Sequence, residues 1–228
     1  MEVYLSKDTR VKKLTGIPVY IIVSKKTSSA AESVAYTLQA LKRAVIIGEQ
    51  TNGEANPGFR FPIDSTLYMM IPTVANINAI TKTNWEGTGV IPDIKINADK
   101  ALLTAQVEAM RKLLSAVDVQ ELQQLYKWKL FELKSQLNPQ QADSSFLSNI
   151  QGLYSNGRVV TYDNNSVYYE AKDKMPPTKL TYLMENTFGV EGRPGLRIQF
   201  VTNTNGTVKE LVALWDDEVR QVFAKIAK

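Results

Sequence analysis

Apolar and polar positions at the start of the chain alternate in blocks that have the lengths of secondary structure elements. Residues 17–23 form a continuous apolar, β-branched run, which is typical of a strand buried on both faces. Apolar residues at helical spacing follow over about residues 31–41, and a second buried run covers residues 44–47 and ends at Gly48. The order of strand, helix and strand predicts a βαβ unit in a parallel sheet.

Two loops rich in glycine, asparagine and proline follow this unit. They cover residues 50–58 and 84–93, and the pattern predicts one further strand between them at residues 67–71. Open α/β sheets usually have their sites in the loops that follow the strand ends. We therefore expect the chemistry to lie in the first hundred residues.

The pattern changes twice in the second half of the chain. Leucines at helical spacing predict helices at residues 99–115 and 118–137, and a polar, proline-containing break follows at residues 138–145. Residues 216–228 have apolar side chains on one helical face, acids first and lysines last, which predicts a C-terminal helix. Short alternating runs separated by turn residues predict strands at residues 158–162, 166–170, 178–184, 196–201 and 207–214.

Together these patterns predict an α/β fold in three parts. Residues 1–97 would form a βαβ-containing, parallel-type sheet, and residues 98–141 a helical connector. Residues 142–228 would form a small antiparallel, β-barrel-like domain that ends in the C-terminal helix.

Composition narrows the chemistry that the chain can perform. The 228 residues are 44% hydrophobic and 22% charged, as in a globular protein, and the net charge of +4 forms no basic stripe. No apolar run reaches transmembrane length. We predict no nucleic-acid partner and no membrane span. Because the chain has no histidine and no cysteine, it cannot by itself build an imidazole or thiolate metal site, and we predict no metal or cofactor.

Ser29 stands out because it lies between the first buried strand and the start of an alanine-rich helix. Unpaired N–H groups at a helix start can stabilise an oxyanion, so a serine there suits nucleophilic chemistry. A serine at this position can equally be an N-cap alone. Without a histidine, the chain cannot complete a Ser-His-Asp triad.

Four motifs favour the catalytic interpretation. They are S-A-A-E at residues 29–32, G-E-Q-T-N-G at 48–53, A-N-P-G at 55–58 and N-W-E-G-T-G-V-I-P-D at 84–93. In this order they resemble the C-terminal processing (tail-specific) serine peptidase family, in the branch that includes interphotoreceptor retinoid-binding protein and tricorn protease. The resemblance covers about residues 1–115 and implies a crotonase/Clp-protease-like half domain.

This resemblance implies a serine-type endopeptidase with a defined set of roles. Ser29 would be the nucleophile, the N–H of Ala30 would bind the oxyanion, and Glu86 would orient an imidazole. Glu32 would be only a helix-start acid. Residues 52–55 read Asn-Gly-Glu-Ala where the tail-specific branch has Phe-Gly-Lys-Gly, so a Ser-Lys dyad is not expected.

The family's histidine and its glycine-rich oxyanion loop lie N-terminal to the matched region. We therefore interpret the chain as the C-terminal part of a longer peptidase, with that upstream segment as its partner and a peptide or protein as its substrate. The isolated chain would be nearly inactive. The resemblance also suggests that the full-length protein is exported or periplasmic.

Other residues and other functions remain open. We interpret Glu49 and Glu54 as loop acids and Lys25 and Lys26 as solvated side chains. Residues 142–215 resemble, by strand rhythm alone, the small lipocalin-like β domains appended to bacterial hydrolases. The alternatives to a peptidase are a non-catalytic ligand-binding module of the same family and an inactive structural remnant.

Overall fold

A computed structural model describes residues 16–172, 174–217 and 219–227. The chain forms two compact units, residues 1–105 and 106–228. Residues 1–15, at the start of the predicted peptidase part, lie outside the described residues. The division into parts at residues 97 and 141 stays a prediction.

The first unit confirms the predicted βαβ arrangement. Strand β1 (Tyr20–Val23) leads through a loop to helix α1 (Ala30–Ala40), and strand β2 (Val45–Gly48) returns parallel to β1. The elements that follow are β3 (Gly58–Pro62), β4 (Tyr68–Pro72), β5 (Ile94–Lys95) and α2 (Ala98–Ala116). Strands β1, β2 and β5 form one parallel sheet in which β2 is central.

The central strand β2 is buried on both of its faces. Ile46 packs with Val23, Trp85 and other apolar residues on one side, whereas Ile47 packs with Ala101 and Ala105 of α2 on the other. Both isoleucines are fully buried. The continuous apolar runs of the sequence therefore reflect a sheet that is covered on two sides.

Strands β3 and β4 form a separate antiparallel ribbon with Gly58 opposite Pro72. The pattern predicted β4 but missed β3. All residues of β4 and all but the first of β3 are exposed, although most are apolar. A two-stranded ribbon is only marginally stable alone, and a large exposed apolar patch usually marks an interaction site. The exposed apolar side chains of the ribbon are Phe59, Phe61, Ile63, Leu67, Tyr68, Met69, Met70 and Ile71.

The second unit is a closed antiparallel barrel preceded by two helices. Helix α3 (Gln120–Leu137) matches the predicted helix at residues 118–137. Helix α4 (Ser144–Ile150), which was not predicted, begins at the end of the predicted break. Eight strands close the barrel in the order β10-β11-β12-β13-β6-β7-β8-β9. They are β6 (Gly152–Tyr154), β7 (Arg158–Asp163), β8 (Ser166–Ala171), β9 (Met175–Met184), β10 (Thr187–Val190), β11 (Arg193–Thr202), β12 (Val208–Trp215) and β13 (Arg220–Ala227).

The predicted C-terminal helix at residues 216–228 is wrong. This segment contains strand β13, which pairs with β12 and β6 and so closes the barrel. Phe223 is buried, whereas Val222 and Ile226 are 51% and 63% exposed, so the expected helical face is not a packing face. Backbone pairing with strands at both sides outweighs the local helical spacing.

The barrel interior is filled by side chains, as the geometry of an eight-stranded barrel allows. Tyr154, Phe188, Phe200 and Leu211 are nearly or fully buried there, and α4 contributes Ile150 to the same core. A small antiparallel β-barrel-like domain is thus confirmed. Its likeness to lipocalin domains stays a prediction.

None of the described helices is both long and apolar enough to cross a lipid bilayer.

Gly48 offers a direct test of the close approach of β2 to β1. Its φ is +135°, and a Cβ atom there would lie 1.9 Å from the carbonyl oxygen of Val23. We expect Gly48→Ala to lower the free energy of unfolding by more than about 2 kcal/mol, because both the backbone conformation and the contact oppose a side chain. Chemical denaturation measures this change. Gly16→Ala is the control, since an added Cβ there meets no described residue within 4 Å. An equal effect of the two substitutions would contradict the packing.

Candidate functional site

Ser29 lies at the N-cap position of α1, where the loop after β1 turns into the helix. Its backbone has φ +53° and ψ −121°, a combination that residues other than glycine rarely adopt. The side chain is exposed. Strained backbone of this kind is concentrated at functional sites, and in α/β-hydrolases a sharp strand-to-helix turn presents the nucleophilic serine.

A pocket of about 290 Å³ opens beside Ser29. It brings together the start of α1 and residues from both loops that the sequence pattern singled out. The prediction that Ser29 faces residues 48–58 and 84–93 agrees with this geometry. The pocket is lined by Ser29, Ala30, Ser33, Ala55, Asn56, Pro57, Asn76 and Trp85.

The carboxylate of Glu32 holds these elements in place. Glu32 is completely buried in the first turn of α1. Its Oε2 accepts the N–H groups of Ser29 and Glu54, both at 2.9 Å. Its Oε1 accepts the Thr51 hydroxyl at 2.5 Å and the Gly53 N–H at 2.7 Å. One buried charge therefore joins the Ser29 backbone to the loop over residues 51–54.

The hydrogen bonds at Glu32 also decide its charge state. Burial alone would raise the pKa of this carboxyl group, but the donors Thr51, Glu54, Gly53 and Ser29 outweigh burial and hold its pKa below the ordinary value. Glu32 is therefore an anion at neutral pH. The expectation that it serves only as a helix-start acid missed this role.

Thr51 extends the connection to the second loop. Its hydroxyl donates to Glu32 and accepts the N–H of Val90 at 2.6 Å. Gly89 packs so closely on Thr51 that a Cβ atom would lie 2.2 Å from the Thr51 carbonyl oxygen, and the Gly87 N–H donates to the Gly53 carbonyl at 2.9 Å. The glycines of the two motifs thus allow the two loops to pack backbone against backbone.

Glu86 lies at the edge of the pocket and is exposed. Its Oε2 accepts the N–H groups of Ala55 and Asn56, two lining residues, at 2.7 and 2.8 Å. Within the described part of the chain, Oε1 accepts no hydrogen bond. Glu86 thus fixes the 55–56 loop through one oxygen and leaves the other oxygen available.

The remaining candidates take structural or peripheral positions. Glu49 lies 4.0 Å from the Lys25 ammonium group, and Glu54 accepts the side-chain amide of Asn52 at 2.7 Å. Trp85 is buried and its ring stacks at a tilt on Tyr36, with the centroids 5.3 Å apart. Among the residues that the structure describes, no group of three or more potential ligands is arranged to hold a metal ion.

Asp93 ends the motif over residues 84–93, and its hydrogen bonds stabilise the fold away from the pocket. Its carboxylate accepts the Ile46 N–H of β2 at 2.7 Å and the Gln39 side-chain amide of α1 at 2.9 Å. The motif therefore combines residues that shape the pocket with one that ties the helix to the sheet.

These features define a class of protein: an α/β unit in which a serine at a helix start faces a pocket built from two glycine-rich loops. Comparison with known proteins agrees, because residues 1–96 match the family model described as Peptidase family S41. Residues 1–96 are therefore similar to members of this peptidase family.

One solved structure with similarity to the chain is the photosystem II D1 C-terminal processing protease. The two sequences are 23% identical over the aligned part, which covers 37% of this chain and 22% of that chain, with a TM-score of 0.33. The matched part therefore spans about a fifth of the length of that protease.

Replacing Glu32 with glutamine tests the role of the buried carboxylate. Glutamine has the same shape as glutamate, but its NH₂ group is a donor and cannot accept the N–H groups that now bind one carboxylate oxygen. We therefore expect Glu32→Gln to lower the free energy of unfolding by about 2 to 4 kcal/mol. The lowered pKa means that the wild-type advantage is complete above the ordinary value of about 4.5 and is lost as the pH falls through the pKa of the folded state. Denaturation measured from pH 7 to pH 3 gives both quantities.

Glu54→Gln is the matched control, because Glu54 is exposed and, among the described residues, its carboxylate hydrogen-bonds only to the Asn52 side chain. A Glu32→Gln variant as stable as this control at pH 7 would contradict the assigned network.

Proposed function

We propose that the chain is the nucleophile-bearing part of a serine-type endopeptidase. The observation that carries the proposal is the strained backbone of Ser29 at the start of α1, beside the open pocket. A buried carboxylate maintains this backbone at a cost in strain, which a simple N-cap would not require. The match of residues 1–96 to a peptidase family supports the same conclusion.

The proposed reaction is acyl transfer through an acyl-enzyme. Ser29 Oγ attacks the carbonyl carbon of a peptide bond while an imidazole accepts its proton. The N–H of Ala30 receives the developing oxyanion, since the first N–H groups of a helix have no partner within the helix. The amine leaves with the proton from the imidazole, and water then hydrolyses the ester bond to Ser29.

Glu86 would orient the imidazole through Oε1, because Oε2 is already engaged by the backbone of Ala55 and Asn56. This carboxylate would also favour the protonated imidazole during attack. Its contact with two pocket-lining residues keeps it next to the pocket without burying it.

The imidazole itself must come from outside this sequence, which has no histidine. We propose that an upstream segment of the full-length protein supplies the histidine and a second oxyanion donor. The exposed apolar β3–β4 ribbon supports such a partner, because Pro57 and Asn76, which flank the ribbon in sequence, both line the Ser29 pocket. A segment that covers the ribbon would therefore reach the pocket.

A longer protein that includes the natural upstream sequence tests this function. We expect it to hydrolyse a denatured protein substrate, and we expect the isolated 228-residue chain to be slower by about 10⁴-fold or more, because it lacks the base. Ser29→Ala in the longer protein should abolish turnover. Glu54→Gln should change it little and serves as the control.

Glu86→Gln in the longer protein separates an orienting role from a structural one. Loss of the negative charge should lower the pKa of the neighbouring imidazole, so the rising limb of kcat/KM against pH should move to lower pH. A smaller kcat with no movement of the limb would mean that Glu86 only shapes the loop. Ser29-dependent hydrolysis by the isolated chain, or none by the longer protein, would contradict the proposal, and the second result would favour a non-catalytic binding module.

A further inference from the structure

The barrel unit contains a buried arginine, Arg158, that has no counter-ion among the described residues. Arg158 opens β7 and is 8% exposed. Its Nη1 donates to the Asn156 carbonyl at 3.0 Å, and its guanidinium carbon lies 4.6 Å from the centre of the Phe223 ring. Its Nε has no hydrogen-bond partner, and no carboxylate forms an ion pair with it, within the described part of the chain.

Arg197 in the same unit shows what a buried arginine ordinarily requires. It is 3% exposed, its ring contact with Trp128 has the same 4.6 Å distance, and its Nε is likewise unpartnered. However, the carboxylates of Glu132 and Asp216 bind its other nitrogens at 2.5 and 2.6 Å. Burying an unpaired charge is costly, and among the described residues no carboxylate pairs with Arg158. An anion from outside the chain would therefore stabilise Arg158 at this position.

The surroundings of Arg158 fit such an anion. Arg158 lines an open cavity of about 640 Å³ together with the exposed Lys172 and Lys174 of the β8–β9 turn. The cavity wall also includes the side chains of two amides, Asn156 and Gln221, and it includes no acidic residue among those that the structure describes. Asp173 lies outside the described residues.

We propose that this cavity is a binding site for an oxyanion with two or more negative charges, such as a phosphate group. The guanidinium group of Arg158 and the ammonium groups of Lys172 and Lys174 carry N–H donors of the kind that bind phosphate or carboxylate oxygens. The site is independent of Ser29 and of the proposed peptidase reaction, since its residues all come from β-strands and turns of the barrel. The barrel unit would therefore bind a ligand that differs from the substrate of the proposed peptidase reaction.

The test uses the 228-residue chain and measures its melting temperature. A ligand that binds only the folded state raises the melting temperature. We expect sodium phosphate to raise it above the value in sodium chloride of equal ionic strength. Sodium malonate, compared in the same way, distinguishes a dicarboxylate from a phosphate as the source of the anion. Equal melting temperatures in all three salts would overturn the proposal.

Substitutions of the lysines test whether the rise in melting temperature with phosphate comes from this cavity. Lys172→Gln with Lys174→Gln should weaken anion binding by at least about tenfold, measured by calorimetric titration, and should remove the rise in melting temperature. Lys179→Gln with Lys209→Gln removes the same charge from exposed positions elsewhere on the barrel and should keep the wild-type response. An unchanged response in the first double variant would overturn the site.

Two further substitutions test the unpaired charge itself. Arg158→Met should melt at or above the wild-type temperature without phosphate, because it removes an uncompensated buried charge, and it should not respond to phosphate. Asp173→Asn should keep or strengthen phosphate binding. If only the Asp173→Asn variant bound phosphate, Asp173 would be the counter-ion of Arg158, and the proposal would fail.

Discussion

The site in the first unit depends on one interaction, the fourfold hydrogen bonding of the buried Glu32 carboxylate. A charged group without access to water is tolerated only when its acceptor oxygens are satisfied, and here backbone N–H groups from two separate segments satisfy them. Because the same anion binds the N–H of Ser29, the strained turn before α1 and the loop over residues 51–54 form a single structure. The Thr51 hydroxyl, which donates to Glu32, also accepts the N–H of Val90 and so connects the second loop to the same carboxylate.

This arrangement explains why the glycines lie where they do. Gly53 has φ +97°, and Gly89 has φ +70° and presses on Thr51 more closely than any side chain would permit. The loops can therefore approach the carboxylate and each other through their backbones. On the side of α1, the pocket is formed by segments that hydrogen bonds to Glu32 hold together. In contrast, the apolar β3–β4 ribbon beyond Pro57 is left uncovered by the residues that the structure describes.

The sequence predicted what depends on local pattern. The βαβ unit followed from two buried runs around a helix, and helices α2 and α3 followed from leucine spacing. Strands β3 and β5 of the first unit and strands β6, β10 and β13 of the barrel were not predicted. A strand such as β13 is defined by partners that are distant in sequence. For the same reason β13 was mistaken for a helix. Its spacing suits a helix, but its pairing with β6 joins residues about 70 positions apart.

The candidate site was predicted in part for a similar reason. Ser29, Ala30 and Glu86 were identified through their motifs, and they lie at or beside one pocket. Their catalytic roles stay predictions. The S-A-A-E motif marked Glu32 as a first-turn acid, but its partners Thr51 and Gly53 are 19 and 21 residues away. Only the folded chain reveals that this acid is the centre of the site.

An NMR titration of Glu32 tests this central claim most directly. The side-chain carboxyl carbon reports the protonation of Glu32, and the amide groups of Ser29, Gly53 and Glu54 report their hydrogen bonds to it. The account predicts a pKa for Glu32 below its ordinary value, with the three amide signals changing at the same midpoint. An ordinary or raised pKa, or amide signals that do not follow the carboxyl group, would contradict it.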